Sequence, residues 1–208
     1  MRKLWVLILA LALLGSAKEL VVYTYDSFVS WGPALAIKEK FEALFPGVTL
    51  TWVAVGDSSE MLSRLIAELR LGLPTADVFL GLADVELPLA LAHNVFQPYD
   101  PARIPNLADV PSDLIFDPTG HVLPYDHGYV TFVYDSELLP EELVPRTLDD
   151  LLRPELRGKI IVTDPRTSSP GPSFLLWTIA HYGEGWLAFW QRLIPNLLTI
   201  TKGWSEAY

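Results

Sequence analysis

The sequence predicts an α/β protein made of two successive strand-and-helix units. Three observations carry this. Runs rich in β-branched and aromatic residues alternate with amphipathic helical runs in two separate rounds. A stretch from 97 to 119, rich in Pro, Asp and Asn, lies between the rounds. No internal repeat or low-complexity tract interrupts the pattern.

The opening MRKLWVLILALALLGSA sets Arg2 and Lys3 ahead of an apolar run from Leu4 to Leu14, with small residues at Gly15 and Ala17. This is the three-part pattern of a secretory leader, with cleavage expected after Ala17. The apolar run is short for a membrane span and no later stretch reaches the necessary length, so export rather than anchoring is expected. No cysteine stands near the cleavage point to carry a lipid.

Leu20 to Tyr25 reads as the first strand, and Pro33 then opens a helical pattern, ALAIKEKFEALF, that Pro46-Gly47 stops. Val48 to Ala54 is the second strand. In GDSSEMLSRLIAELRLG, Met61, Leu62, Leu65, Ile66 and Leu69 form one apolar helical face and Gly72 ends it. Asp77 to Leu82 is the third strand, and right-handed crossovers place all three carboxyl ends on one side. After the irregular connection, Pro124 to Asp135 resumes strand character with a kink at Gly128. A second round follows: a helix over TLDDLL, a strand from Lys159 to Thr163, helices from Ser173 to Tyr182 and Glu184 to Leu193, and a strand from Leu198 to Thr201. The domain reading is a leader over 1–17, a first lobe with its connection over 18–123, and a crossover strand with part of a second lobe over 124–208.

The sequence has no Cys, which removes disulfides, thiol nucleophiles and thiolate metal ligands together. Its formal charge is −10, and losing the two positive charges Arg2 and Lys3 with the leader makes it −12. Such a surface disfavours DNA, RNA and anionic lipid and leans toward small cations. His93, His121, His127 and His181 have no metal-ligand spacing, and no phosphate-binding loop or hydrolase signature occurs, so neither a metal nor a cofactor is expected.

In an open parallel sheet, ligands sit beyond the carboxyl ends of the strands. Tyr23 and Tyr25 share a face there by the two-residue period, with Asp26, Phe28 and Trp31 in the turn just past it. Tyr23 and Phe28 fit a plain sheet–helix join; Tyr25, Asp26 and Trp31, an acid between aromatic rings, fit a site better. Asp57 and Ser58 start a helix, with Glu60 placed as in a capping box. Simple capping and a polar contact at a cleft both account for them. In DPRTSSPGPSFLLW, Ser168 and Ser169 precede an apolar helix at its positive end, again open to capping or to a ligand group. Trp204, after a strand and a glycine, reads equally as core or contact.

Taken together, VYTYDSF, the WGP after it, ADVFLGL, PYDHGYVTFVYD, DPRTSSPG with LLW, and TKGWSEAY resemble the thiamine-binding periplasmic proteins of ABC uptake systems. The likeness covers nearly all of the chain after the leader; YTYDSF, DPRTSSPG and TKGWSEAY are its specific segments. It implies a periplasmic-binding-protein type II fold, two α/β lobes around a ligand cleft, with the second lobe and return crossover incomplete because the family continues well past Tyr208. The sequence is therefore expected to be a fragment or a truncated reading frame. The resemblance further implies that residues matching Asp57, Ser58, Ser168, Ser169 and Trp204 contact thiamine or its phosphates, and that Tyr25 and Trp31 line the same cleft. Two positions depart from the family: its Asp-Gly is Asp57-Ser58 here, and its Ser-Thr is Ser168-Ser169.

The expected activity is capture of thiamine by a monomer in the periplasm and delivery to an ABC permease and ATPase, without catalysis. The alternatives are the same fold with ferric ion or a polyamine as cargo, or a remnant that does not bind. An enzyme that degrades thiamine shares the fold but attacks with a cysteine, which this sequence lacks.

Overall fold

The computed structural model describes residues 18–208, so the expected leader lies outside the described residues. Strand β1 (Lys18–Thr24) is the middle of a three-stranded parallel sheet, between β2 (Val48–Ala54) and β3 (Val78–Phe79). The third strand was expected over 77–82 and its regular part is shorter. Even so, Asp77 N–H donates to Val21 O at 2.9 Å and Leu80 N–H to Tyr23 O at 2.8 Å, so main-chain pairing continues past both ends.

Helix α3 (Ser58–Arg70) covers this sheet with Met61, Leu62, Leu65 and Ile66, all buried as the apolar spacing requires. Helix α2 (Ala34–Leu44) lies against β2, where Trp52 Nε1 donates to Ala34 O at 2.9 Å. Asp26–Ser30, expected as a turn, winds into the short helix α1, and Leu87–Ala92 forms a further helix, α4.

The second sheet pairs β4 (Ile160–Thr163) with β5 (Leu197–Thr201) in parallel. Helices α5 (Pro170–Tyr182) and α6 (Trp186–Leu193) pack beside it, and Leu148, Leu156, Val162, Phe174, Phe189 and Leu193 are buried together. Helix α5 begins at Pro170 rather than Ser173, because the missing proline N–H would have no helical partner in the first turn anyway. The helix expected over TLDDLL is only a 3-10 turn, Asp149–Leu152. Pro154 holds the preceding Arg153 extended, at φ −61° and ψ 138°, which stops the turn from growing. A final short helix, α7, spans Trp204–Ala207.

One expectation is corrected outright. Pro124 to Asp135, read as a crossover strand, forms no ladder. A strand exists only where a second backbone accepts from its N–H groups and donates to its C=O groups, and no described strand pairs with these residues. Tyr129 is consequently 93% exposed and Val133 76% exposed. Phe132 is the exception, packing edge-on against Phe174 with ring centroids 5.2 Å apart.

The long connection between the sheets is organised by a single buried carboxylate. Asp117 accepts from the N–H groups of Thr119 (2.9 Å), His121 (2.7 Å) and Val122 (2.8 Å) and from the Thr119 hydroxyl. Burial alone would raise its pKa, but these donors outweigh that and hold it at about 2.

Glu68 works similarly beneath the first sheet. The fully buried Tyr23 donates its hydroxyl to Glu68 Oε1 at 2.7 Å, Arg64 Nε donates to the same oxygen at 2.8 Å, and Thr75 Oγ1 donates to Oε2 at 2.9 Å. Burial opposes ionisation, yet these donors lower the carboxyl from 4.5 to about 2. Because the folded value lies below the unfolded one, the stabilisation is complete above roughly pH 5 and is lost as pH falls toward 2. Glu68→Gln is expected to lower unfolding free energy by about 1.5–3 kcal/mol at neutral pH, with the deficit shrinking toward pH 2. Urea unfolding across pH checks this; a deficit independent of pH would contradict it.

Candidate functional site

All five strands deliver their carboxyl ends to one crevice. Tyr25 follows β1, Asp57 follows β2, Gly81 follows β3, Ser169 follows β4 and Trp204 follows β5, and all five residues line a cavity of about 390 Å³. A second, more apolar cavity of about 720 Å³ opens beside it over the first sheet and takes in Phe28, Trp31 and Trp52. The two cavities share Tyr25, Ser27, Tyr125, Asp126 and Trp204.

Asp57 decides the geometry. It occupies the N-cap position of α3 but makes no side-chain capping bond. Its Oδ2 instead accepts from Trp204 N–H at 2.8 Å and from the Ser168 hydroxyl, joining the first sheet's loops to those of the second. Ser168 is fully buried at this contact. Gly203 makes the approach possible: a Cβ there would lie 3.2 Å from the Asp57 carboxylate oxygen. Lys202 Nζ reaches Glu60 at 3.0 Å alongside, and the Tyr25 and Tyr125 hydroxyls meet at 2.8 Å. The indole of Trp31 stands edge-on to that of Trp204 at 5.8 Å, and Trp204 stacks on Tyr208 at 5.0 Å.

The expected site residues therefore sort themselves. Tyr25, Asp57, Ser58, Ser169 and Trp204 line the smaller cavity, Trp31 lines the larger one, and Ser168 sits behind Asp57. Ser58 lines the wall, yet its hydroxyl turns inward and donates to Glu86, so its side chain is not a free donor to the crevice. Asp26 departs from expectation. Its Oδ1 accepts from Gly56 N–H at 3.0 Å while its own N–H donates to Gly56 O at 2.9 Å, a reciprocal clamp, and it lines neither cavity. The bland reading holds for Tyr23 and for Phe28, which is buried between Tyr25 and Trp52.

Tyr125 and Asp126 line both cavities although the sequence reading did not name them as site residues. Their dipeptide repeats Tyr25-Asp26, and the argument from an acid beside an aromatic ring applied to both. Desolvation, followed by the Tyr25 hydroxyl, pushes the Tyr125 phenol above its ordinary value, so it stays protonated and able to donate. Gly81, at φ +112°, passes directly beneath the Tyr25 ring, where a Cβ would lie 2.4 Å from Tyr25 Cδ1. Among the described residues no group of three His, Cys, Asp or Glu is placed to hold a metal ion.

A crevice walled by the strand ends of two separate sheets, lined by aromatic rings and carboxylates, is the layout of a protein that encloses a small solute. Residues 74–201 match the family described as bacterial extracellular solute-binding protein, and the chain belongs to that family.

Thiamine-binding periplasmic proteins of Brucella abortus and Escherichia coli K12 are 38% and 37% identical to it, each over 97% of this chain. The chain spans 58% and 59% of those relatives' lengths. A solved periplasmic thiamin binding protein superposes with a TM-score of 0.74 at 37% identity, over 91% of this chain and 57% of that one. The fold is shared more widely: a periplasmic binding protein of Actinobacillus pleuropneumoniae, 22% identical, covers 92% of this chain and 59% of its own with a TM-score of 0.67. The chain thus has the α/β fold of periplasmic binding proteins over somewhat more than half of their length.

Asp57→Ala removes the acceptor for both Ser168 and Trp204. Amide exchange at Trp204 is expected to accelerate about tenfold, the equivalent of one charge-assisted hydrogen bond. Unchanged exchange, measured by mass spectrometry over 202–208, would contradict the assigned contact.

Proposed function

We propose that this chain captures thiamine as part of an exported binding protein and presents it to an ABC importer in the membrane. The observation that carries the reading is the crevice itself, where Tyr25, Trp31, Tyr125 and Trp204 surround a space edged by Asp57 and Asp126. Thiamine joins a permanently cationic thiazolium to a flat aminopyrimidine. Aromatic faces attract such a cation by about 0.5–2 kcal/mol per ring, and carboxylates add charge complementarity. The Ser168 hydroxyl and the Trp204 N–H, both donating to the Asp57 carboxylate, are donors that a phosphorylated form could engage in its place.

The names of the relatives support the same reading and its periplasmic setting. The pattern of residues 1–17 supports export by a cleaved leader. The role is binding and release by a monomer through lobe closure, without catalysis. Tyr25, Trp31, Asp57, Ser58, Ser168, Ser169 and Trp204 are assigned to the ligand site, with Asp26 supporting it through Gly56. Residues 18–123 form the first lobe with its connection and 124–208 the start of the second.

A ferric cargo would draw on the paired Tyr25 and Tyr125 hydroxyls, but the partial desolvation and the Tyr25 hydroxyl that raise the Tyr125 phenol work against the phenolate that iron requires.

Titration with thiamine should quench tryptophan emission, and Trp204→Ala should weaken binding about 2- to 30-fold. An unresponsive protein that is folded by circular dichroism, or an equal response to ferric ion and polyamine, would overturn the assignment.

A further inference from the structure

Behind the crevice wall lies a carboxylate, Glu86, that caps its own 3-10 turn, Asp84–Glu86, through Ala83 N–H but also holds two hydroxyls from another helix. Glu86 is only 7% exposed. Its Oε2 accepts from the Ser58 hydroxyl and, at 3.2 Å, from Ala83 N–H, while Oε1 accepts from the Ser59 hydroxyl. Among the described residues no Lys, Arg or His forms an ion pair with it. Every donor it meets is neutral, so its charge is solvated by the protein but not cancelled.

The location gives that charge a use. Ser58 and Ser59 are the first two residues of α3, where unpaired N–H groups carry the positive end of the helix dipole, which stabilises a nearby anion. Ala83 ends the irregular segment Gly81–Ala83, which forms another wall of the same cavity. One buried side chain therefore ties two walls of the crevice together. It also engages the hydroxyl of Ser58, which lines the crevice, and sets a negative charge beside the positive end of the helix.

We propose that Glu86 is a positioning residue of the cleft: its buried carboxylate clips the start of α3 to the turn after β3 and lends that wall a negative charge matched to a cationic ligand. The inference rests on the thiamine reading for its second half only. A neutral hydrogen-bonding group would serve the clip, but only a carboxylate serves the charge. The glutamate acts through Ser58, Ser59 and Ala83 and is not itself a ligand contact.

The experiment compares the unaltered chain with Glu86→Gln and Glu86→Ala. Without ligand, Glu86→Ala should speed amide exchange about fivefold or more in both 57–60 and 81–85, with Glu86→Gln showing a smaller rise in the same two segments. Exchange that rises in neither segment, or in one alone, overturns the clip. With ligand, Glu86→Gln should weaken thiamine binding about three- to tenfold while leaving the neutral tricyclic derivative thiochrome unaffected, because only the cation feels the lost charge. Equal losses for both compounds, or none for thiamine, overturn the charge role. Should Glu86→Ala fail to fold, Glu86→Gln carries both measurements. An unaltered chain that ignores thiamine defeats the ligand reading, and exchange then decides the clip alone.

Discussion

The arrangement depends on one carboxylate taking hydrogen bonds from the other half of the molecule. Asp57 belongs to the first sheet's loops, yet both donors to its Oδ2, the Ser168 hydroxyl and the Trp204 N–H, belong to the second. A buried hydroxyl must be met by an acceptor. Ser168 is fully buried, and the Asp57 carboxylate is the acceptor for its hydroxyl. The crevice exists because this bond fixes the distance between its walls, and the Tyr25–Tyr125 and Trp31–Trp204 contacts then follow at its rim.

The same constraint sets the chemistry of the opening. Aromatic rings come from both sides, and Lys202, two residues before Trp204, is paired with Glu60. Asp57 and Asp126 face inward, with Glu86 behind them. A flat cation fits such a space better than an anion, because the strongest donors at the latch already serve a carboxylate of the chain. A phosphate would have to displace Asp57 to use them.

Much of this was legible in the sequence. The alternation of strand and helix located the five described strands within a few residues, the rule placing ligands at strand carboxyl ends pointed to Tyr25, and the resemblance to thiamine-binding proteins is what joined Asp57, Ser169 and Trp204 to it. What was not legible depended on partners distant along the chain. The spacing from Asp57 to Glu60 fits a capping box, and nothing local reveals that Ser168 and Trp204 replace the cap. Asp26 looked like a ligand acid because Gly56, which it clamps, lies thirty residues away. Residues 124–135 have strand composition but lack a pairing backbone, and composition cannot supply one. Glu86 carried no signal at all, since its meaning comes entirely from the serines it holds.

The most direct test is a crystal structure of this chain grown with thiamine. The account predicts the thiazolium ring inside the crevice, in contact with Tyr25 and Trp204, with Asp57 on its acidic edge. Thiamine bound elsewhere on the surface, or a crevice left empty at saturating thiamine with the Asp57–Trp204 contact absent, would contradict it.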